Sequence, residues 1–172
     1  GRAHGEVVQL GVNLPIEARP RATCAVCLVQ NGSAYWAHIG DSRVYLLRRG
    51  KVFKRTRDHS HVEFLLREGV ITAEQALTHP MRNFVECCLG GEAFLPEMSL
   101  GLREPLEAND ILLVCSDGLW GGLDDEDIAN AFPTARAPLR DELVNLAERS
   151  IAQVGAGSDN TSAAVVRWIG NA

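Results

Sequence analysis

The sequence predicts an α+β fold. Three observations carry this reading. A meander of short strands joined by tight turns fills residues 22–55, helical stripes are grouped after it, and a compact apolar run at 110–115 reads as a buried strand, with a further strand at 162–169. Residues 1–20 hold Gly1, Gly5, Gly11, Pro15 and Pro20 and read as a connecting segment. Residues 22–30 are apolar and rich in small and β-branched side chains, as a strand requires. Asn31-Gly32 is a hairpin signal, and a second strand follows at 33–39. Gly40-Asp41-Ser42 breaks the pattern, 43–48 resumes it, Arg49-Gly50 turns the chain again, and 51–55 completes the meander.

The middle of the chain changes period. Val62, Leu65 and Leu66 form a helical stripe over 61–68 that Gly69 ends. Thr72 and Gln75 have capping-box spacing and open a short helix, which His79-Pro80 closes. Residues 84–89 read as a strand, and 124–132 and 139–153 as helices. The acidic run Asp124-Asp125-Glu126-Asp127 lacks the alternation of a calcium loop and suits a helix N-terminus, where negative charge is favoured.

Composition sets the class. The 172 residues include 17 Lys+Arg and 22 Asp+Glu, for a net charge of −5, and 46% are hydrophobic. A chain of this length can bury a core without staples, so wholesale disorder is excluded. The acidic balance argues against nucleic-acid binding, and no apolar run reaches the ~20 residues of a membrane helix. Residues 1–10 are mixed and polar, without a signal-peptide pattern. Cys24 and Cys27 lie three apart on a strand and so face opposite ways, which keeps them from clasping one metal. All five cysteines are expected buried and reduced, which suits a cytoplasmic setting.

Three aspartates stand where strands end. Asp41 lies in Gly40-Asp41-Ser42, Asp117 in Ser116-Asp117-Gly118, and Asp159 in Ser158-Asp159-Asn160. Small neighbours let the backbone approach an ion, and carboxylates are hard oxygen ligands suited to Mg²⁺ or Mn²⁺. The alternative for each is turn chemistry, because Asp and Asn side chains bond nearby backbone. Arg43 and Arg57 carry guanidinium forks that match phosphate, with pairing to local acids as the alternative. His38 reads as a core or near-site histidine, and His59 and His61, which share a face if extended, as surface or hinge residues, with a pair of metal ligands as the alternative.

The motifs together resemble a known family. Gly40-Asp41-Ser42-Arg43-Val44-Tyr45 is similar to the GDSR-x-Y block of the metal-dependent protein serine/threonine phosphatases, the PP2C family. Cys115-Ser116-Asp117-Gly118-Leu119-Trp120 resembles its CSDGL block, and Asp159-Asn160-Thr161 its closing block. Thr56-Arg57-Asp58-His59-Ser60 and the stretch from Glu68-Gly69-Val70 to His79-Pro80 resemble the flap of the bacterial members.

The resemblance implies two antiparallel sheets packed face to face with helices outside each. Within that plan, residues 21–172 would be the C-terminal part of such a domain and 57–83 the flap. It implies two divalent cations, Mn²⁺ or Mg²⁺, with a third, weaker one, and a metal-held water that attacks the phosphorus of phosphoserine or phosphothreonine. Asp117 and Asp159 would be ligands of one ion, and Asp41 would help hold the weaker one. Asn160 would orient Asp159 or line the site, with Ser116, Gly118 and Arg43 beside it. The implied partner is a phosphoprotein substrate; composition adds the expectation of no nucleic acid and no membrane, the reduced cysteines that of a cytoplasmic setting, and the expected form is a monomer.

The family's first acidic blocks have no counterpart here. Gly1-Arg2-Ala3-His4-Gly5-Glu6 resembles them only in its glycines and histidine. The chain is therefore expected to be a fragment of such a domain. The alternatives are a catalytically inactive regulatory or protein-binding module, or a site completed by another chain.

Overall fold

The computed structural model describes residues 1–82, 84–133 and 138–170, with Leu77 described by its backbone alone. In chain order the elements are α1 (Arg2–Leu10), β1 (Arg21–Ala22), β2 (Cys24–Gln30), β3 (Ser33–Ile39), β4 (Arg43–Arg48) and β5 (Lys51–Arg55), then α2 (His61–Arg67) and α3 (Ala73–Leu77). Next come β6 (Leu89–Gly90), β7 (Ser99–Leu100), β8 (Glu104–Pro105) and β9 (Ile111–Cys115), then α4 (Asp117–Trp120), α5 (Asp125–Asn130), α6 (Leu139–Val154) and β10 (Ala163–Arg167). The chain divides into two units. One comprises Gly1–Cys24, His38–Asp41 and Arg57–Ser99, and the other Ala25–Ala37, Ser42–Thr56 and Leu100–Ala172.

The larger unit is layered. Its main sheet runs β10-β9-β4-β5, and every neighbouring pair is antiparallel. Strand side chains alternate between faces, so Tyr45 and Leu47 share one face of β4 and Leu46 takes the other. Tyr45, Leu47, Ile111, Leu113 and Cys115 pack with Leu119, Ile128, Phe132 and Leu146 from the helices. Leu46 and Leu112 meet Ala34, with Cys27, Val29 and Trp36 of β2 and β3 packed alongside. Because β4 is covered on both faces, its sequence reads as a continuous apolar run.

Two hairpin turns fix the meander. Asn31 and Gly32 have φ of 50° and 66°, and Arg49 and Gly50 have φ of 53° and 71°. Positive φ at both central residues matches the twist of the flanking strands. Arg48 closes the edge of the layer by donating from Nε and Nη2 to the buried carboxylate of Asp110, at 2.9 and 2.7 Å. Asp124 caps α5 by accepting from the Asp127 N–H at 2.7 Å, the role expected of the acidic run.

The smaller unit corrects two expectations. The expected connecting segment 1–20 contains α1. This helix packs on β6: buried His4 accepts from the Gly90 N–H at 3.2 Å, and a Cβ on Gly90 would lie 2.3 Å from Val7 Cγ1. Of the strand expected over 84–89 only Leu89 is in a strand, paired with Ala22, and Val85 makes a lone bridge to Ser60. The polar groups between them bond elsewhere. The Glu86 N–H donates to the His59 carbonyl at 2.8 Å, the Glu86 carboxylate meets His61 Nδ1 at 2.8 Å, and Cys87 Sγ donates to the Glu97 carbonyl.

The two short helices expected in the segment read as a flap form with their caps. Ser60 caps α2, and Thr72 and Gln75 form both bonds of the capping box of α3. The segment's last residue, Asn83, lies outside the described residues. All five cysteines are free thiols, but only Cys115 is buried; Cys24, Cys27, Cys87 and Cys88 are half-buried, and Cys27 lies on the face of β2 that packs on the core while Val26 and Leu28 are exposed on the other. No helix among the described residues is long and apolar enough to cross a membrane.

Candidate metal centre

In the larger unit the structure joins the Asp117 turn to the Asp159 loop. The ladder between β9 and β10 runs one step past its last pair, with the Ser116 N–H donating to the Ser162 carbonyl at 2.9 Å. Ser116 Oγ then donates to the Asn160 carbonyl at 3.1 Å and accepts from the Ser162 N–H at 3.0 Å. Thr161 Oγ1 donates to the Gly118 carbonyl at 3.0 Å. Gly118 is required by this approach, since a Cβ there would lie 2.6 Å from the Asn160 carbonyl oxygen. From α6, the wholly buried Ser150 Oγ reaches the Leu119 carbonyl at 2.6 Å and the Gly118 carbonyl at 3.1 Å.

This stitching carries two carboxylates. Asp117 Oδ1 accepts from the Gly118 N–H at 2.9 Å, and Asp159 Oδ1 accepts from the Asn160 N–H at 2.6 Å. The bond that orients Asp159 thus comes from the main chain of Asn160. Asp117 is half-buried and Asp159 exposed.

Arg43 works inside the same unit. It stands opposite Cys115 on β4, its Nη1 donates to Tyr45 Oη at 2.9 Å, and its guanidinium lies 3.5 Å over the Trp120 ring. These contacts tie β4 to α4 through a phenol and an indole. Burial, against the lowering pull of Arg43, pushes the Tyr45 phenol well above its ordinary value.

Asp41 belongs to the smaller unit. Gly40, just before it, has φ of 98°, and a Cβ there would lie 2.4 Å from Thr23 Cγ2. The His59 N–H donates to the Gly40 carbonyl at 3.0 Å, and the Gly40 N–H donates to His59 Nδ1 at 3.4 Å. His59 Nε2 meets Ser99 Oγ at 2.8 Å, and buried His38 places Nε2 2.6 Å from the Arg57 carbonyl. The two imidazoles are 4.5 Å apart, centre to centre. Burial first, and then the His38 charge, lowers the His59 pKa from its ordinary value. Of the surface or hinge roles expected of His59, the surface one is corrected: the ring is half-buried and bonded on both nitrogens.

The donors fit a hard divalent cation in kind, since both seam carboxylates offer oxygen. In number they are a share of a centre: among the described residues no group of three His, Cys, Asp or Glu side chains is placed to hold a metal ion. The sequence does not show the support that Ser150 and His59 give, because their partners lie 32 and 19 residues away.

Comparison with known proteins places the chain. The family model "Protein phosphatase 2C" matches residues 18–63. Over 129 residues the chain is 40% identical to the serine/threonine protein phosphatase PstP of Mycobacterium tuberculosis, a match covering 74% of this chain and 24% of PstP. A solved serine/threonine phosphatase from S. agalactiae aligns with 98% of this chain and 67% of its own, at 30% identity and a TM-score of 0.84. The chain belongs to the protein phosphatase 2C family. A further solved structure of this family, the catalytic domain of PstP in complex with two manganese ions, aligns at 28% identity with a TM-score of 0.68, covering 95% of this chain and 65% of its own. The family is metal-dependent, and its fold is the α+β arrangement expected from the sequence. The chain spans about a quarter of the length of the curated PstP sequence.

Proposed function

We propose that this chain supplies part of the catalytic domain of a protein phosphatase that hydrolyses phosphoserine and phosphothreonine in proteins. The observation that carries the proposal is the Asp117–Asp159 seam, where two family motifs far apart in sequence are stitched together by Ser116, Gly118 and Thr161. Asp117 and Asp159 would hold a divalent cation, Mn²⁺ or Mg²⁺, and Asp41 would serve a weaker one. The remaining donors would come from outside the described residues. Such ions supply an activated water and offset charge on the phosphoryl group.

The chain's own residues set the geometry. Ser116 and Gly118 hold the Asp159 loop against the Asp117 turn. Ser150 fixes α4 from beneath, and Arg43 packs on Trp120 from the side. The expected substrate is a phosphoprotein; the manganese-bound PstP relative supports the choice of ion to try first.

The test is hydrolysis of a phosphothreonine peptide by the polypeptide as the organism makes it, with and without Mn²⁺. Asp117→Asn and Asp159→Asn should each cut metal-dependent turnover by about 100-fold or more, since losing even a supporting residue of a metal site costs about 10–100-fold. Undiminished turnover in Asp117→Asn would overturn the assignment. Peptide binding with no turnover would instead support a non-catalytic module.

A further inference from the structure

We propose that His59 is a positioning residue that grips both ends of the Gly40 peptide and so fixes the turn that presents Asp41. Its main-chain N–H donates to the Gly40 carbonyl at 3.0 Å, and its side-chain Nδ1 accepts from the Gly40 N–H at 3.4 Å. A strand partner would satisfy a residue in the same way, with one donor and one acceptor. Here a single residue does both, one bond through its backbone and one through its ring.

The tautomer follows from the partners. The Gly40 N–H can only donate, so His59 Nδ1 must present its lone pair, and the ring hydrogen sits on Nε2, facing Ser99 Oγ at 2.8 Å. The Arg57 carbonyl can only accept, so the His38 hydrogen also sits on Nε2. That leaves His38 Nδ1 buried and without a hydrogen-bond partner among the described residues. The two rings lie 4.5 Å apart and tilted by 38°, and the partners of each place its ring hydrogen on Nε2.

The turn has no slack on its other side. Gly40 adopts φ of 98° and lies so close to Thr23 that a Cβ would sit 2.4 Å from Thr23 Cγ2. Thr23 and His59 thus hold Gly40 from two directions, and Asp41 follows immediately. The consequence for metal binding rests on the reading of Asp41 as a ligand; the grip on Gly40 does not.

The experiment pairs two substitutions and reads Gly40 directly by NMR of the 172-residue chain. His59→Asn keeps an acceptor near the Nδ1 position. His59→Gln matches the ring's reach toward Ser99 but withdraws that acceptor. Amide hydrogen exchange at Gly40 should quicken about tenfold in His59→Gln, as expected for one lost hydrogen bond, and change little in His59→Asn. A role in filling space alone would favour the longer Gln. In the unmodified chain, nitrogen shifts should show His59 Nδ1 unprotonated. A protonated Nδ1, or equal exchange in the two variants, would overturn the proposal. Adding Mn²⁺ separates the two readings. Broadening of the Asp41 signal that needs severalfold more Mn²⁺ in His59→Gln than in His59→Asn supports the link to metal. Exchange that follows the pattern while Asp41 ignores Mn²⁺ would remove Asp41 as a ligand and leave the grip intact.

Discussion

The Asp117–Asp159 seam is held by hydroxyl groups and close main-chain packing, whereas the turn before Asp41 is held by an imidazole. The hydroxyls of Ser116, Ser150 and Thr161 do not titrate in the physiological range, and all three point at carbonyl oxygens. The His59 ring can lose its acceptor by taking a proton. Steric fit therefore governs one carboxylate carrier, and protonation state can govern the other.

The comparison breaks most sharply at Gly118. A Cβ there meets backbone, the Asn160 carbonyl oxygen at 2.6 Å, which cannot rotate away as a side chain could. Gly118→Ala should cost about 3 kcal/mol, the upper end for overpacking, and the urea midpoint measures it. Ser150→Ala comes next. It leaves the Leu119 carbonyl without this donor in a fully buried place, and should cost about 1–3 kcal/mol at any pH between 5 and 8. Thr161→Val removes one neutral donor to the Gly118 carbonyl and should cost about 0.5–1.5 kcal/mol.

The smallest effect is the pH response of the His59 turn. The folded pKa of His59 is lowered from 6.5, so the folded state resists a proton that the unfolded chain accepts. The stability His59 contributes is present above that value and is lost as pH falls through the folded pKa. His38, Asp58 and Glu97 are the charged or titratable groups acting on it. Urea midpoints below pH 6.5 should fall less steeply in His59→Asn than in the unmodified chain. Equal slopes would show that His59 does not carry the acid sensitivity.

Much of this was legible locally. The strands at Ser33–Ile39, Arg43–Arg48 and Lys51–Arg55 match the alternation and turn signals, and the Thr72–Gln75 capping box formed as its spacing implied. Helix α1 was hidden because Gly5 sits inside it and its stability comes from packing on β6, residues away in sequence. The carboxylates could be named from turn chemistry and family resemblance. Their supports could not: Ser150 looks like any polar helix residue until α6 is laid over α4, and His59 looks like a surface histidine until Gly40 is placed against it.

The most direct test of the central claim is Mn²⁺ titration of the 172-residue chain, followed by paramagnetic broadening of its amide signals. Weak binding suffices for this readout. The account predicts that signals at 116–118 and 159–161 broaden together at the same Mn²⁺ concentration, and that Asp117→Asn or Asp159→Asn abolishes the broadening at both places. Broadening at one loop alone, or broadening that survives both substitutions, would contradict a shared ion on this seam.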